Sequence, residues 1–136
     1  MKIMCDTNII IDVLLERAPF VDDSCKVLAL CEEHKINGFI SASSVTDIYY
    51  LVRKHTQSAD LAYKAIGKVL EIVKVCSVTN NDVLAAFQRK AKDFEDCLVA
   101  TCAKSIGCDY IVTRNKKDFE EFDIPLLAPT ELLQLL

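Results

Sequence analysis

Glycine and proline are scarce in this chain, three of each; tryptophan is absent, and the only histidines are His34 and His55. So few Gly and Pro exclude collagen-like sequence and Pro-rich linkers, and 51% apolar residues exclude the disordered class. The seven cysteines contain no C-x-x-C pair and no Cys/His ligand spacing, so no structural zinc site is expected. They read instead as small core hydrophobes of a reducing cytoplasm. No run approaches the roughly 20 apolar residues of a membrane span. An acid at position 6 interrupts the first apolar stretch, so neither a secretory leader nor membrane contact is expected. The formal net charge of −4 leaves no overall basic field. A nucleic-acid partner would therefore need a local basic patch or bound cations.

What is present is one domain's worth of chain, residues 1–136, with enough apolar sequence for a sizeable core. Its first dozen residues, MKIMCDTNIIID, organise the rest. Ile3-Met4-Cys5 is a short apolar run ended by Asp6-Thr7-Asn8, which reads as a buried strand with Asp6 at its carboxyl end. The competing reading of Asp6 is a helix N-cap. Downstream, the pattern predicts helices over 9–16 and 24–34, one opened by Ser43 or Ser44 and ending around His55, and others over 58–70 and 80–87, the last capped by Asn80 or Asn81. It predicts a further helix from Asp93 to Ile106, ended by Gly107 in the left-handed region, and a final one over 131–136. Strands are predicted around Phe39-Ile40 (after a break at Asn37-Gly38), 72–76, 110–112 and 124–127.

Strands alternating with helices make a parallel sheet covered on both faces. Right-handed crossovers place strand carboxyl ends and helix N-termini on one edge of such a sheet. Asp6, Asp47, Asp96, Asn115 and Asp118 all fall on that rim. Each has a plainer reading. Ser44-x-x-Asp47 and Asp93-x-x-Asp96 resemble capping boxes, and Asp118 suits a turn. Taken together, however, acids gathered at one edge repel each other unless a cation lies between them. A hard divalent ion such as Mg²⁺ is the natural partner, and such sites serve phosphoryl transfer.

The strand-end Asp6-Thr7-Asn8, Asp47 in Ser44-Val-Thr-Asp-Ile, Asp93-Phe-Glu-Asp96-Cys-Leu and the loop Thr113-Arg-Asn115-Lys-Lys-Asp118-Phe together resemble PIN-domain ribonucleases. Within these the chain is most similar to the single-domain toxins of VapBC-type toxin–antitoxin pairs. The resemblance covers essentially the whole chain, and its most specific pieces are DTN and DFEDCL. It implies an α/β, PIN-like three-layer fold with a five-stranded parallel sheet in the order 3-2-1-4-5. It also implies Mg²⁺- or Mn²⁺-dependent cleavage of RNA, a homodimer, and inhibition by an antitoxin protein. By position, Asp6, Asp47 and Asp96 match the first three family acids. Asn115 stands where the fourth is usually Asp, offering a carbonyl oxygen but no charge, with Asp118 three residues further on. Thr113 and Asn8 match positions that orient the site.

Lys90 and Lys92 precede the acidic helix, and Arg114, Lys116 and Lys117 flank the last loop. As a set they are candidates to hold an RNA backbone; singly each reads as solvated surface. Nothing in the sequence reads a base. Two aspartyl-phosphate readings fit less well. A haloacid-dehalogenase-type phosphatase wants an acid where Asn8 stands, and a response-regulator receiver wants one at the end of the third strand. A non-catalytic PIN-like scaffold is the alternative from another class, and Asn115 is the feature that keeps it open.

Overall fold

A computed structural model describes all residues, 1–136. In chain order the elements are β1 (Lys2–Cys5), α1 (Thr7–Leu14), α2 (Val21–Glu32), β2 (Asn37–Ser41), α3 (Ala42–Thr56), α4 (Ala59–Ile72) and β3 (Lys74–Cys76). They continue with α5 (Asn80–Arg89), α6 (Phe94–Ser105), β4 (Tyr110–Val112), β5 (Leu126–Leu127) and α7 (Pro129–Leu135). The strands form one all-parallel sheet in the order β3-β2-β1-β4-β5, the predicted arrangement. β1 is central, with Ile3 paired to Gly38 on one side and Tyr110 on the other.

The period-2 alternation of strand side chains divides the core in two. Ile3, Cys5, Ile40 and Val112 face a cluster filled by α1, α2, α3, α4 and α7, through residues such as Ile10, Val27, Ile48, Val69 and Leu132. Met4, Cys76 and Ile111 face the opposite cluster, filled by α6 with Ala86 of α5 and the ring pair Phe119 and Phe122. The central strands β1 and β4 are buried on both sides, which is why they read as unbroken apolar runs. No helix is long and apolar enough to cross a membrane.

Several element boundaries depart from the sequence pattern, each for a local reason. Gly38 lies within β2 rather than in a break before it. A Cβ there would meet Cys31 Sγ at 2.5 Å, so α2 approaches the strand where only Gly leaves room. Ile72 ends α4, and β3 starts only at Lys74. Thr79, not Asn80 or Asn81, caps α5. Its hydroxyl accepts from the Asp82 N–H at 3.1 Å while Asp82 Oδ2 accepts from the Thr79 N–H at 2.9 Å. The last helix begins at Pro129, whose missing N–H suits a first turn. Gly107 has φ +72 just past α6, as expected. Cys25 is exposed and Cys108 half-buried, so only the other five cysteines are core residues.

Candidate active site

The rim of the sheet is built by helices that begin almost at once after strands. β1 ends at Cys5, and Asp6 is the N-cap residue of α1, yet its side chain makes no capping bond within that helix. The carboxylate is instead nearly buried and accepts a hydrogen bond from Thr113 Oγ1, one residue past β4, at 2.9 Å. The Asn115 N–H in turn donates to Thr113 Oγ1 at 3.0 Å, which fixes the hydroxyl's direction. Burial pushes the Asp6 carboxyl above its ordinary pKa; the Thr113 hydroxyl and the Thr7 N–H pull it partly back.

Neither of the other two acids is spent on a helix cap. α3 starts at Ala42, so Asp47 is its sixth residue rather than a first-turn acid, and Ser44 Oγ lies 3.1 Å from Ser41 Oγ instead of completing a capping box. In α6, Asp93 does the capping, its Oδ1 accepting from the Asp96 N–H at 3.0 Å. That leaves the Asp96 carboxylate free to face the rim.

Asp6, Asp47 and Asp96 line one cleft of about 490 Å³, together with Asn8, Glu95 and Lys54. Glu95 and Lys54 were not assigned to the site from the sequence. Glu95 lies inside the DFED motif, but only the facing of α6 toward α3 shows that it meets Asp47. A hydrogen bond between the Glu95 and Asp47 carboxyl groups, then burial, then the surrounding negative charges push Glu95 up to about 7. Asp96 is also pushed up to about 7, first by burial and then by the charges of Asp93, Asp6 and Asp118. Asp118 itself is exposed in a single 3₁₀ turn, Lys116–Asp118, and does not line the cleft.

The predicted basic rim is largely engaged elsewhere. Arg114 pairs with Asp12, a wholly buried acid of α1 that sequence reasoning passed over, through Nε at 2.7 Å and Nη2 at 3.2 Å. Its guanidinium also lies 4.1 Å from the centre of the Phe20 ring. Lys116 Nζ is 2.8 Å from Glu131 Oε1. Lys90 is the left-handed residue that ends α5, and Lys92 is exposed; neither lines the cleft. Lys54, near the end of α3, is the one cation in the cleft wall. The Asn115 side chain also stays out of the lining.

The donor set fits a hard divalent cation. Four carboxylates share one cleft with a single lysine, and the carboxyls of Glu95 and Asp96 are pushed up to about 7, Glu95 first by its hydrogen bond to Asp47 and Asp96 first by burial, with neighbouring negative charges adding to both. No three of these acids close tightly round a common point. A divalent cation held here would therefore take one or two of these carboxylates and complete its shell with water.

Comparison with known proteins agrees with this geometry. A family model described as PIN domain matches residues 2–117. Ribonuclease VapC1 of Aquifex aeolicus is 28% identical over 136 residues, covering 98% of this chain and 94% of that protein. Among solved structures, VapBC2 from Rickettsia felis bound to a promoter DNA fragment matches with TM-score 0.73 and 18% identity, over 94% of this chain and 98% of that one. VapBC-1 from nontypeable Haemophilus influenzae matches with TM-score 0.70 and 22% identity, over 96% and 99%. With the five-stranded order, the acidic rim and a family match spanning most of its length, the chain belongs to the PIN domain family.

Proposed function

We propose that this protein is a divalent-metal-dependent ribonuclease, the toxin of a toxin–antitoxin pair. The observation that carries the reading is the convergence of Asp6, Asp47, Glu95 and Asp96, from three separate elements, on one open cleft. A scaffold that had given up catalysis would have no reason to keep four mutually repelling carboxylates there. The likeness to ribonuclease VapC1 along nearly the whole chain supports the same reading.

Asp6 and Asp96 would hold Mg²⁺ or Mn²⁺, with Glu95 beside Asp96 on α6 and Asp47 facing it from α3. When bound, the ion supplies Lewis-acid stabilisation of the charge growing on the phosphate and acidifies water for attack. The chain's own residues do the positioning. Thr113 holds the Asp6 carboxylate in one orientation. Asn8, in the first turn of α1, orients the strand, and Lys54 offers the phosphodiester its positive charge. Asn115 and Asp118 belong to the same reading as outer groups: Asn115 fixes Thr113 through its N–H, and Asp118 adds negative charge at the rim. Lys90, Lys92 and Lys117 are exposed and remain candidate contacts to the RNA backbone further out.

The reading includes a cytoplasmic protein, a homodimer and an antitoxin partner. Large apolar side chains left in solvent support the protein contacts, Leu84 and Phe87 on α5 and Tyr50 and Tyr63 on α3 and α4. The test is cleavage of a mixed RNA pool with and without Mn²⁺, by the wild type and by Asp96→Asn. Metal-dependent cleavage lost in the variant is expected. Equal cleavage by both would show that the site is drawn wrongly.

A further inference from the structure

A second pocket, of about 290 Å³, lies between the start of α2, the loop after β4 and the start of α7. We propose that this pocket, lined by Phe20, Asp23, Ser24, Arg114, Pro129 and Thr130, is a nucleobase subsite that selects guanine in single-stranded RNA held at the acidic cleft. The inference rests on the ribonuclease reading for its substrate class.

Three observations carry it. First, Ser24 is wholly buried and its hydroxyl has no hydrogen-bond partner; it is the one buried side-chain polar atom of the molecule so left. Its backbone N–H donates to Phe20 O at 3.2 Å, the carbonyl that a helical serine hydroxyl usually takes. A buried hydroxyl without a partner is costly, and a ligand acceptor in the pocket would satisfy it. Second, Asp23 is half-buried on the pocket wall and makes no ion pair. The helix dipole alone would account for an acid at the start of α2. It does not account for a hydroxyl sealed from water one residue on. Third, Arg114 is held flat by two bonds to Asp12 and by the Phe20 ring. Its charge is already balanced, so it is a poor phosphate anchor. What it retains is a planar surface, and unstacked RNA bases stack on aromatic rings and guanidinium planes.

The pocket size suits one ring system rather than a larger ligand. Among the four bases, guanine alone presents two adjacent N–H donors on its Watson–Crick edge, matching the two acceptor oxygens of the Asp23 carboxylate. The exposed Thr130 hydroxyl is free to donate to its carbonyl, whereas the buried Ser24 hydroxyl is reached only if the pocket wall opens as the base seats. The pocket is linked to the cleft through bonded neighbours: Arg114 follows Thr113, which bonds Asp6, and Asp12, the partner of Arg114, lies about 9 Å from Asp6 along α1. A base seated here would belong to a nucleotide close to the phosphate at Asp6.

The experiment is an NMR titration of the ¹⁵N-labelled protein in metal-free buffer with GMP, AMP, CMP and UMP in turn. GMP is expected to shift the amides of Asp23, Ser24 and Thr130 saturably, with the other three about tenfold weaker. Asp23→Asn should lose the preference, and Ser24→Ala should weaken GMP binding while its circular dichroism shows it folded. No shift at these amides, equal shifts from all four nucleotides, or an unchanged preference in Asp23→Asn would overturn the proposal. So would a pocket that answers only to an amphipathic peptide, which would make it a protein-docking site. RNA cleavage by the wild type is followed separately. Cleavage without GMP binding defeats the subsite alone, whereas GMP binding without cleavage upholds the pocket and defeats the ribonuclease reading.

Discussion

Arg114 and Asp12 are 102 residues apart in the chain and form a two-point ion pair, with Asp12 wholly buried and the arginine side chain 23% exposed. The pair clamps the loop after β4 onto α1 and so holds Thr113 against Asp6. Arg114→Ala strands a buried carboxylate; breaking such a pair costs about 3–5 kcal/mol. Arg17, whose Nη1 is 4.0 Å from Asp12, offsets part of that. A loss of about 2–4 kcal/mol in urea unfolding is therefore expected, with incomplete rescue by lysine, which lacks the planar fork. A change below about 0.5 kcal/mol, the size of an ordinary surface substitution, would show that the pair does not hold the loop.

Asp96 and Glu95 lead to a pH dependence with a definite sign. Both carboxyls are pushed up to about 7 in the folded state, well above their ordinary range near 4. The folded protein therefore holds protons that the unfolded chain has released. Their contribution to stability is complete below about pH 4 and is lost as pH rises through about 7. Thermal melts in EDTA should show a lower Tm at pH 8 than at pH 5.5. Asp96→Asn, folded but inactive, should flatten the difference, and Mn²⁺ should raise the wild-type Tm most at the higher pH. Identical pH profiles for wild type and variant would mean that the charges at the cleft do not repel as described.

Thr113→Val removes the donor to Asp6 while keeping the side chain's shape. A hydrogen bond to a charged group contributes about 1.5–3 kcal/mol. Cleavage should fall by roughly tenfold or more, by the relation of 1.36 kcal/mol per factor of ten. Thr113→Ser keeps the hydroxyl and should retain most of the activity. Rates of the two variants on the same RNA, compared at saturating Mn²⁺, make the check. If the valine variant cleaves as fast as the serine variant, the bond has no part in aligning Asp6.

Asn115 departs from the acid usual at its position and reaches the site through its backbone N–H. Asn115→Asp adds an anionic oxygen beside Thr113 and should tighten Mn²⁺ binding in titration calorimetry, because hard cations gain most from charged oxygen. Asp118→Ala, which removes a charge felt by Asp6 and Asp96, should weaken it modestly. Unchanged affinity in both variants would confine the metal site to the cleft carboxylates.

Much of this architecture was legible locally. The apolar run ending at Asp6, the acidic opening of α6 and the left-handed Gly107 are signals confined to a few residues. They survive folding because they describe what the backbone does in place. The strand order came with the resemblance to the PIN family rather than from periodicity. Boundaries slipped where neighbours compete, as at Thr79, whose hydroxyl captured the cap expected at Asn80 or Asn81, and at Gly38, admitted into β2 by the close passage of α2. Only the tertiary structure could decide the partners. Arg114 and Lys116 read singly as solvated surface in the sequence, and nothing there marks Asp12; folding pairs Arg114 with Asp12 and Lys116 with Glu131. Glu95 looks like a helix-start acid until α3 brings Asp47 across from it. The chain's local chemistry thus set which acids stand at the rim. Distance in space, which no short stretch of sequence encodes, decided which charges meet, which are neutralised, and which are left facing the cleft.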